Sequence, residues 1–263
     1  MSDTPVLFTQ TWGRAPRKAL ALHCSLAHSG AWRPMAAALA EPLAFTAADL
    51  PGHGRSPGWD GQGDYTLRAA KGAEALVGEG PVDLIGHSGG GVTALLAALA
   101  RPEAVRTLTL VEPVLFAAAK GFPEYDAFRA EMAPWAAAWA AGDIEAATRA
   151  FTDLWGTGEP WDELTPDRRA YMTDRIGLIA AGMPALNEDS GGILADGRLE
   201  TLEMPVMILA GGNSPVVVHR IAEELAARLP DVGLAEVPGA AHMLPLTHAK
   251  EVAGLVDVNL TRE

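Results

Sequence analysis

The chain has 263 residues, 49% of them hydrophobic and 20% charged, enough for one well-buried core carrying an insertion and unlike the composition of a disordered segment. Its 33 acidic and 20 basic residues leave a net charge of −13, which argues against nucleic acid and anionic membranes as partners and favours small substrates. The single cysteine, Cys24, excludes an internal disulfide and a zinc site built from paired cysteines.

The opening MSDTPVLFTQTWG lacks the basic and apolar regions of a signal peptide, so a cytoplasmic location is expected. Strand-like runs occupy residues 6–12, 18–23, 43–47, 82–85, 106–111, 206–209 and 233–237. The first two, joined by a short polar link over 13–17, are expected to pair as an antiparallel hairpin at a sheet edge. Helical patterns at 31–40, 66–77, 90–100, 216–228 and 247–258 alternate with the later strands, the signature of a parallel sheet covered on both faces. The longest apolar stretch, 92–100, falls well short of the roughly 20 residues that span a bilayer.

Between residues 115 and 202 the alternation stops. Ala-rich helical segments follow one another, punctuated by Pro123, Pro134, Gly142, Gly156, Pro166 and Pro184. The expected organisation is therefore an α/β core over 1–114 and 203–263, a mostly parallel doubly wound sheet, with an all-helical cap insertion over 115–202. Trp135 and Trp139 share one helical face of that insertion. They are candidates for packing between its helices or for lining a substrate pocket, where His28 is a further candidate at the mouth.

Gly86-His87-Ser88-Gly89-Gly90 has the form G-x-S-x-G between the apolar run 82–85 and a helix-length segment. A sharp strand-to-helix turn needs small residues on both sides of the serine. Such a turn lifts the Ser88 hydroxyl above the sheet and sets the Gly89 N–H at a helix N-terminus, where it stabilises a developing oxyanion.

With three further segments, this motif resembles the α/β-hydrolase superfamily. Leu22-His23-Cys24-Ser25 is similar to the family's oxyanion loop, Asp49-Leu50-Pro51-Gly52-His53-Gly54-Arg55-Ser56 to its D-x-P-G-x-G-x-S turn, and Val237-Pro238-Gly239-Ala240-Ala241-His242-Met243 to the loop carrying its catalytic histidine. The resemblance implies Ser88 as nucleophile, His242 as general base, and the N–H groups of Ser25 and Gly89 as oxyanion donors. Two departures stand out. Cys24 replaces the usual glycine of the oxyanion loop, tolerable where the backbone needs no positive φ; a lone buried thiol there is an inert packing group or, alternatively, a rival nucleophile.

The second departure concerns the acid. The usual aspartate after the strand at 206–209 is missing, the sequence there being Ala210-Gly211-Gly212-Asn213-Ser214-Pro215. The family's alternative position, the end of the strand after the nucleophile helix, holds Glu112, which is the expected acid. The alternatives are Asn213 or a backbone carbonyl orienting His242, with Glu112 bracing the entry to the insertion.

A serine at the nucleophile position disfavours dehalogenase and epoxide hydrolase chemistry. The expected activity is hydrolysis of a carboxylic ester of a small, largely apolar substrate through an acyl-enzyme. Carbon–carbon bond hydrolysis, lactone opening, perhydrolysis and acyl transfer are alternatives on the same triad, and a non-catalytic ligand-binding protein is the alternative of another class. No metal-ligand cluster, dinucleotide loop or P-loop lysine is present in the sequence, so no cofactor is expected. The expected partner is a small-molecule substrate, and a homo-oligomer is compatible with the composition.

Overall fold

A computed structural model describes residues 4–262; Met1 to Asp3 and Glu263, assigned above to the core, lie outside the described residues. The strands are β1 (Thr9–Trp12), β2 (Lys18–Leu22), β3 (Ala44–Ala48), β4 (Val82–His87), β5 (Val105–Val111), β6 (Val206–Gly211) and β7 (Val232–Val237). They form one seven-stranded sheet in the order β1-β3-β2-β4-β5-β6-β7, parallel except for β1, which runs antiparallel to β3.

Alternation along the strands sends side chains into two separate cores. Leu20 and Leu22 of β2, with Leu84, Leu108, Leu110 and Ile208, pack on one face. There they meet α2 (Tyr65–Val77), α3 (Gly89–Ala100) and α9 (Val216–Ala226). Ala19 and Ala21, with Ile85, Val111 and Leu209, enter the other core against α1 (Arg33–Ala38) and α11 (Ala249–Leu260). Strands buried on both faces in this way need helices on both.

The expected hairpin of the first two strands is corrected: β1 pairs with β3, not with β2. Four of the five β2 residues are buried, so this strand takes an interior place between β3 and β4. The polar β1, TQTW, has no fully buried residue and suits an edge. The link over 13–17 crosses the end of β3: Gly13 adopts φ +77° against the Leu43 carbonyl, and Ala44 N–H bonds to Arg17 O.

Between β5 and β6 the chain forms α4 (Pro123–Glu131), α5 (Ala133–Ala140), α6 (Ile144–Trp155), α7 (Pro166–Thr173) and α8 (Gly177–Glu188), with short 3-10 turns and no strand. Pro123, Pro134 and Pro166 start helices, where a missing N–H costs nothing. Pro184, expected to break one, lies inside α8 instead; packing of α8 on α2 and α3 outweighs the lost hydrogen bond. After β7 come α10 (Leu244–Thr247) and α11. No helix of the described residues is long and apolar enough to cross a membrane.

Candidate active site

The strand ends β4, β5 and β6 and the loop after β7 bring four sequence motifs together. Between β4 and α3, Ser88 takes φ 57° and ψ −123°, a conformation that a residue with a Cβ holds only when its surroundings impose it. Its N–H bonds to Val111 O at 2.9 Å. The glycines around it are there for space. A Cβ on Gly86 would stand 2.4 Å from Gly90 O, and one on Gly90 would stand 2.3 Å from His23 O. Hydrogen at Gly86 lets the start of α3 approach β4, and hydrogen at Gly90 lets it approach the end of β2.

Gly89 is the first residue of α3, so its N–H has no partner within the helix. A Cβ there would lie 3.3 Å from Ser25 Oγ, which sets the loop after β2 against this helix end. Among the described residues neither Ser25 N–H nor Gly89 N–H has a hydrogen-bond acceptor. Leu26, the next loop residue, adopts φ 61°. The loop is held by buried imidazoles: His23 Nδ1–H donates to Cys24 O at 2.7 Å while its Nε2 accepts from Leu50 N–H, and Leu26 N–H donates to His53 Nε2 at 3.1 Å. Burial lowers His23 to about 4 and His53 to about 3, keeping both neutral. Tyr171 of α7 adds a tie from the helical segment, its hydroxyl donating to Ala27 O and accepting from Gly54 N–H, both at 3.0 Å.

Cys24 does not take a positive φ, so a side chain replaces the family's glycine without backbone strain. Its thiol is buried beside the Met243 sulfur at 3.8 Å and is pushed up to about 12 by burial. A thiol held so far from ionisation is a poor nucleophile.

Glu112 follows β5 with φ 47° and is fully buried. His242 Nδ1 lies 2.6 Å from its Oε2. Its Oε1 accepts Gly211 N–H at 2.6 Å and Ser214 Oγ–H at 2.5 Å. Asn213, the alternative partner for the imidazole, gives its amide to Gly239 O. The segment that lacks the usual aspartate thus supplies two donors to Glu112 instead. Ser214 was not singled out in the sequence, and a hydroxyl two residues past a Gly-Gly pair carries no signal there. His87, named in the sequence only as part of the G-x-S-x-G motif, also holds the site. Burial, then the neighbouring His242, lowers it well below its ordinary value, and its neutral Nε2–H donates to the His242 carbonyl at 2.8 Å, pinning the loop that carries the proposed base. Trp155 packs edge-on against the His242 ring, with centroids 4.6 Å apart.

Ser88, Ser25 and Gly89 line an inner cavity of about 40 Å³. Met132, Phe151, Trp155, Ile179, Met183 and Leu186, all from the segment between β5 and β6, form much of its wall, and no charged side chain of the described residues lines it. An outer cavity of about 520 Å³ shares Ser25, Phe151 and Trp155 with it and includes His28. Among the described residues Ser88 Oγ has no hydrogen-bond partner; catalytic bonds of this kind often form only when substrate is bound. Trp135 and Trp139 stand apart from this wall. Their rings stack on each other 6.2 Å apart, and neither lines the cavity at Ser88. The i, i+4 spacing that put them on one face also lets their rings pack on each other, and Trp155 is the tryptophan that lines the cavity. Among the described residues no group of three or more His, Cys, Asp or Glu side chains is arranged to hold a metal.

Comparison with known proteins identifies the family. The model of the alpha/beta hydrolase family matches residues 19–255. A pimeloyl-[acyl-carrier protein] methyl ester esterase of Methylococcus capsulatus is 30% identical over 95% of this chain and 96% of its own. Lipase LipV of Mycobacterium tuberculosis is 38% identical over 41% of this chain and 42% of its own. A solved hydrolase from Pseudomonas aeruginosa superposes with a TM-score of 0.74 at 23% identity, covering 99% of this chain and 96% of that one, a likeness of fold. From the elbow glycines to the family match over most of its length, the chain belongs to the alpha/beta hydrolase family and is a hydrolase.

Proposed function

We propose that the chain is a cofactor-independent serine esterase that cleaves a carboxylic ester through an acyl-enzyme. The observation that carries this reading is the 2.6 Å contact between His242 Nδ1 and Glu112 Oε2 beside a serine held at φ 57°. With Nδ1–H given to Glu112, Nε2 is the basic nitrogen. It takes the Ser88 proton as Oγ attacks the ester carbonyl, and the carbonyl oxygen becomes an oxyanion facing the N–H groups of Ser25 and Gly89. The imidazolium then protonates the departing alkoxide, and the resulting acyl-enzyme is hydrolysed by the same route with water as nucleophile. Curated relatives that are named esterase and lipase support ester hydrolysis.

Residues 115–202 act in this reading as a cap that screens the reaction from water, a role supported by the apolar wall they contribute at Ser88. The test is covalent labelling with a fluorophosphonate followed by peptide mapping. The label is expected on Ser88, and Ser88→Ala is expected to lose labelling and several orders of magnitude of ester turnover while remaining folded. A folded, uncontaminated Ser88→Ala protein with full turnover would overturn the mechanism.

A further inference from the structure

One polar group in the inner cavity has no work within the protein. Thr66, the second residue of α2, lines that cavity together with Ser88 and is 4% exposed. Among the described residues its Oγ1 has no hydrogen-bond partner. The other polar side chains of α2 and α3 at this cavity are occupied: Tyr65 Oη donates to Pro51 O at 3.0 Å, and Thr93 Oγ1 to Gly89 O at 2.9 Å. Across from Thr66 the wall is Gly182 of α8. A Cβ there would stand 3.4 Å from Thr66 Oγ1, so the glycine leaves the hydroxyl uncovered toward the cavity.

The residue is buried but its hydroxyl stays open to the cavity, where water can satisfy it and where an apolar occupant would seal it off without a partner, at a cost. The space beside it is large enough for a water, and a substrate oxygen that takes over the water's bond keeps the hydroxyl paired, whereas a methylene in the same place strands it. We propose that Thr66 is a specificity-determining residue that selects esters carrying an ether, keto or hydroxyl oxygen in the part of the substrate that fills the inner cavity. The inference deepens the esterase reading and rests on it. Uncharged walls around Thr66 restrict the feature to a neutral oxygen, because an ionised group would lose its hydration without a counter-charge.

The test uses pairs of isosteric esters differing by one oxygen. Methyl 3-methoxypropanoate and methyl ethoxyacetate are compared with methyl pentanoate for the acyl end, and 2-methoxyethyl acetate with butyl acetate for the alkoxy end. The readout is the ratio of kcat/KM, oxygenated over hydrocarbon. Thr66→Val, which keeps the shape and removes the hydroxyl, is expected to lower that ratio about tenfold for at least one pair. Thr66→Ser is expected to retain it, and Gly182→Ala, which covers the hydroxyl, to lower it in the same direction. A ratio that stays within about twofold of the parent for every pair in both Thr66→Val and Gly182→Ala overturns the proposal. Binding of the intact esters to Ser88→Ala, with and without Thr66→Val, measures the same preference as a ratio of Kd values without turnover. Full turnover in Ser88→Ala would defeat the esterase mechanism, while the Kd ratio would still decide the role of Thr66.

Discussion

Two fully buried carboxylates sit at opposite ends of the central strands, and they are satisfied in opposite ways. Asp83, near the start of β4, accepts from Arg17 Nε and Nη2 at 2.7 and 3.0 Å, from Arg106 Nη1 at 3.1 Å and from Thr107 Oγ1 at 3.0 Å. Glu112, just past the end of β5, accepts from Gly211 N–H, Ser214 O–H and the His242 imidazole. Asp83 has permanent cations against it, so its charge is balanced at all times. The hydrogen-bond donors to Glu112 are neutral or become charged only when His242 takes a proton. A buried carboxylate already matched by arginine supports the fold, and one matched by dipoles and an imidazole is placed, in the proposed mechanism, to stabilise a charge that appears during the reaction.

That contrast is sharpest in Glu112→Gln. The variant offers an amide to His242 Nδ1 and favours the wrong tautomer, so turnover is expected to fall by up to about four orders of magnitude while the protein stays folded. A variant with more than about a tenth of the parent rate would remove Glu112 from the mechanism. Asp83→Asn should do the reverse. It leaves two partly exposed arginines facing a neutral buried group, at an expected cost of about 1–3 kcal/mol by urea unfolding, with kcat of the folded protein nearly unchanged. Equal stability of parent and Asp83→Asn would show that the two ends of the sheet do not differ as argued.

Acid should find the catalytic end through its histidines. His23 is lowered to about 4, so between its ordinary value near 6.5 and that value the unfolded chain binds a proton that the native state refuses. Stability therefore falls as pH drops through this window, by roughly 3 kcal/mol from His23 alone, and is retained above it. His53, lowered to about 3, acts in the same direction to lower pH. Melting temperature measured from pH 7 to pH 4 checks the sign; a midpoint that rises on acidification would contradict it.

A smaller effect is expected of Ser214→Ala, which removes one of the donors to Glu112. Loss of one hydrogen bond to a charged group should lower kcat about tenfold with little change in KM, whereas an altered KM at constant kcat would assign Ser214 to substrate binding. The smallest effect is expected of Cys24→Ala. With the thiol pushed up to about 12, activity should stay within about twofold and resistance to thiol reagents should be unchanged. Thiol-dependent inactivation of the parent enzyme would reverse that expectation.

Much of the candidate site was legible because the proposed chemistry depends on residues that leave local marks. The turn at Ser88 needs glycines at 86 and 90, and the apolar run before it is too short and too dense to be a surface helix. Glu112 could be nominated because it stands at the alternative acid position of the family that the motifs resemble, once the usual position after β6 proved to hold no carboxylate. What was hidden depends on partners distant in sequence. The edge position of β1 is decided by β2 needing two neighbours, which no pattern within residues 6–23 encodes. The stacking of Trp135 on Trp139 and the insertion of Trp155 toward His242 turn on helix rotation, which periodicity leaves open. Thr66 and Ser214 are ordinary hydroxyls whose meaning comes entirely from what faces them.

The left-handed backbone at both Ser88 and Glu112 has a consequence for how this chain changes over generations. Each positive φ costs about 1–3 kcal/mol for a residue with a Cβ and little for glycine, so drift at these two positions has a preferred direction. Once turnover no longer matters to the host, the strain is pure loss, and glycine at 88 and 112 becomes the easier state to reach. A serine and a glutamate kept together in those conformations in a descendant of this chain would therefore be a record of selection on its chemistry, and their joint replacement would date the point at which that selection ceased.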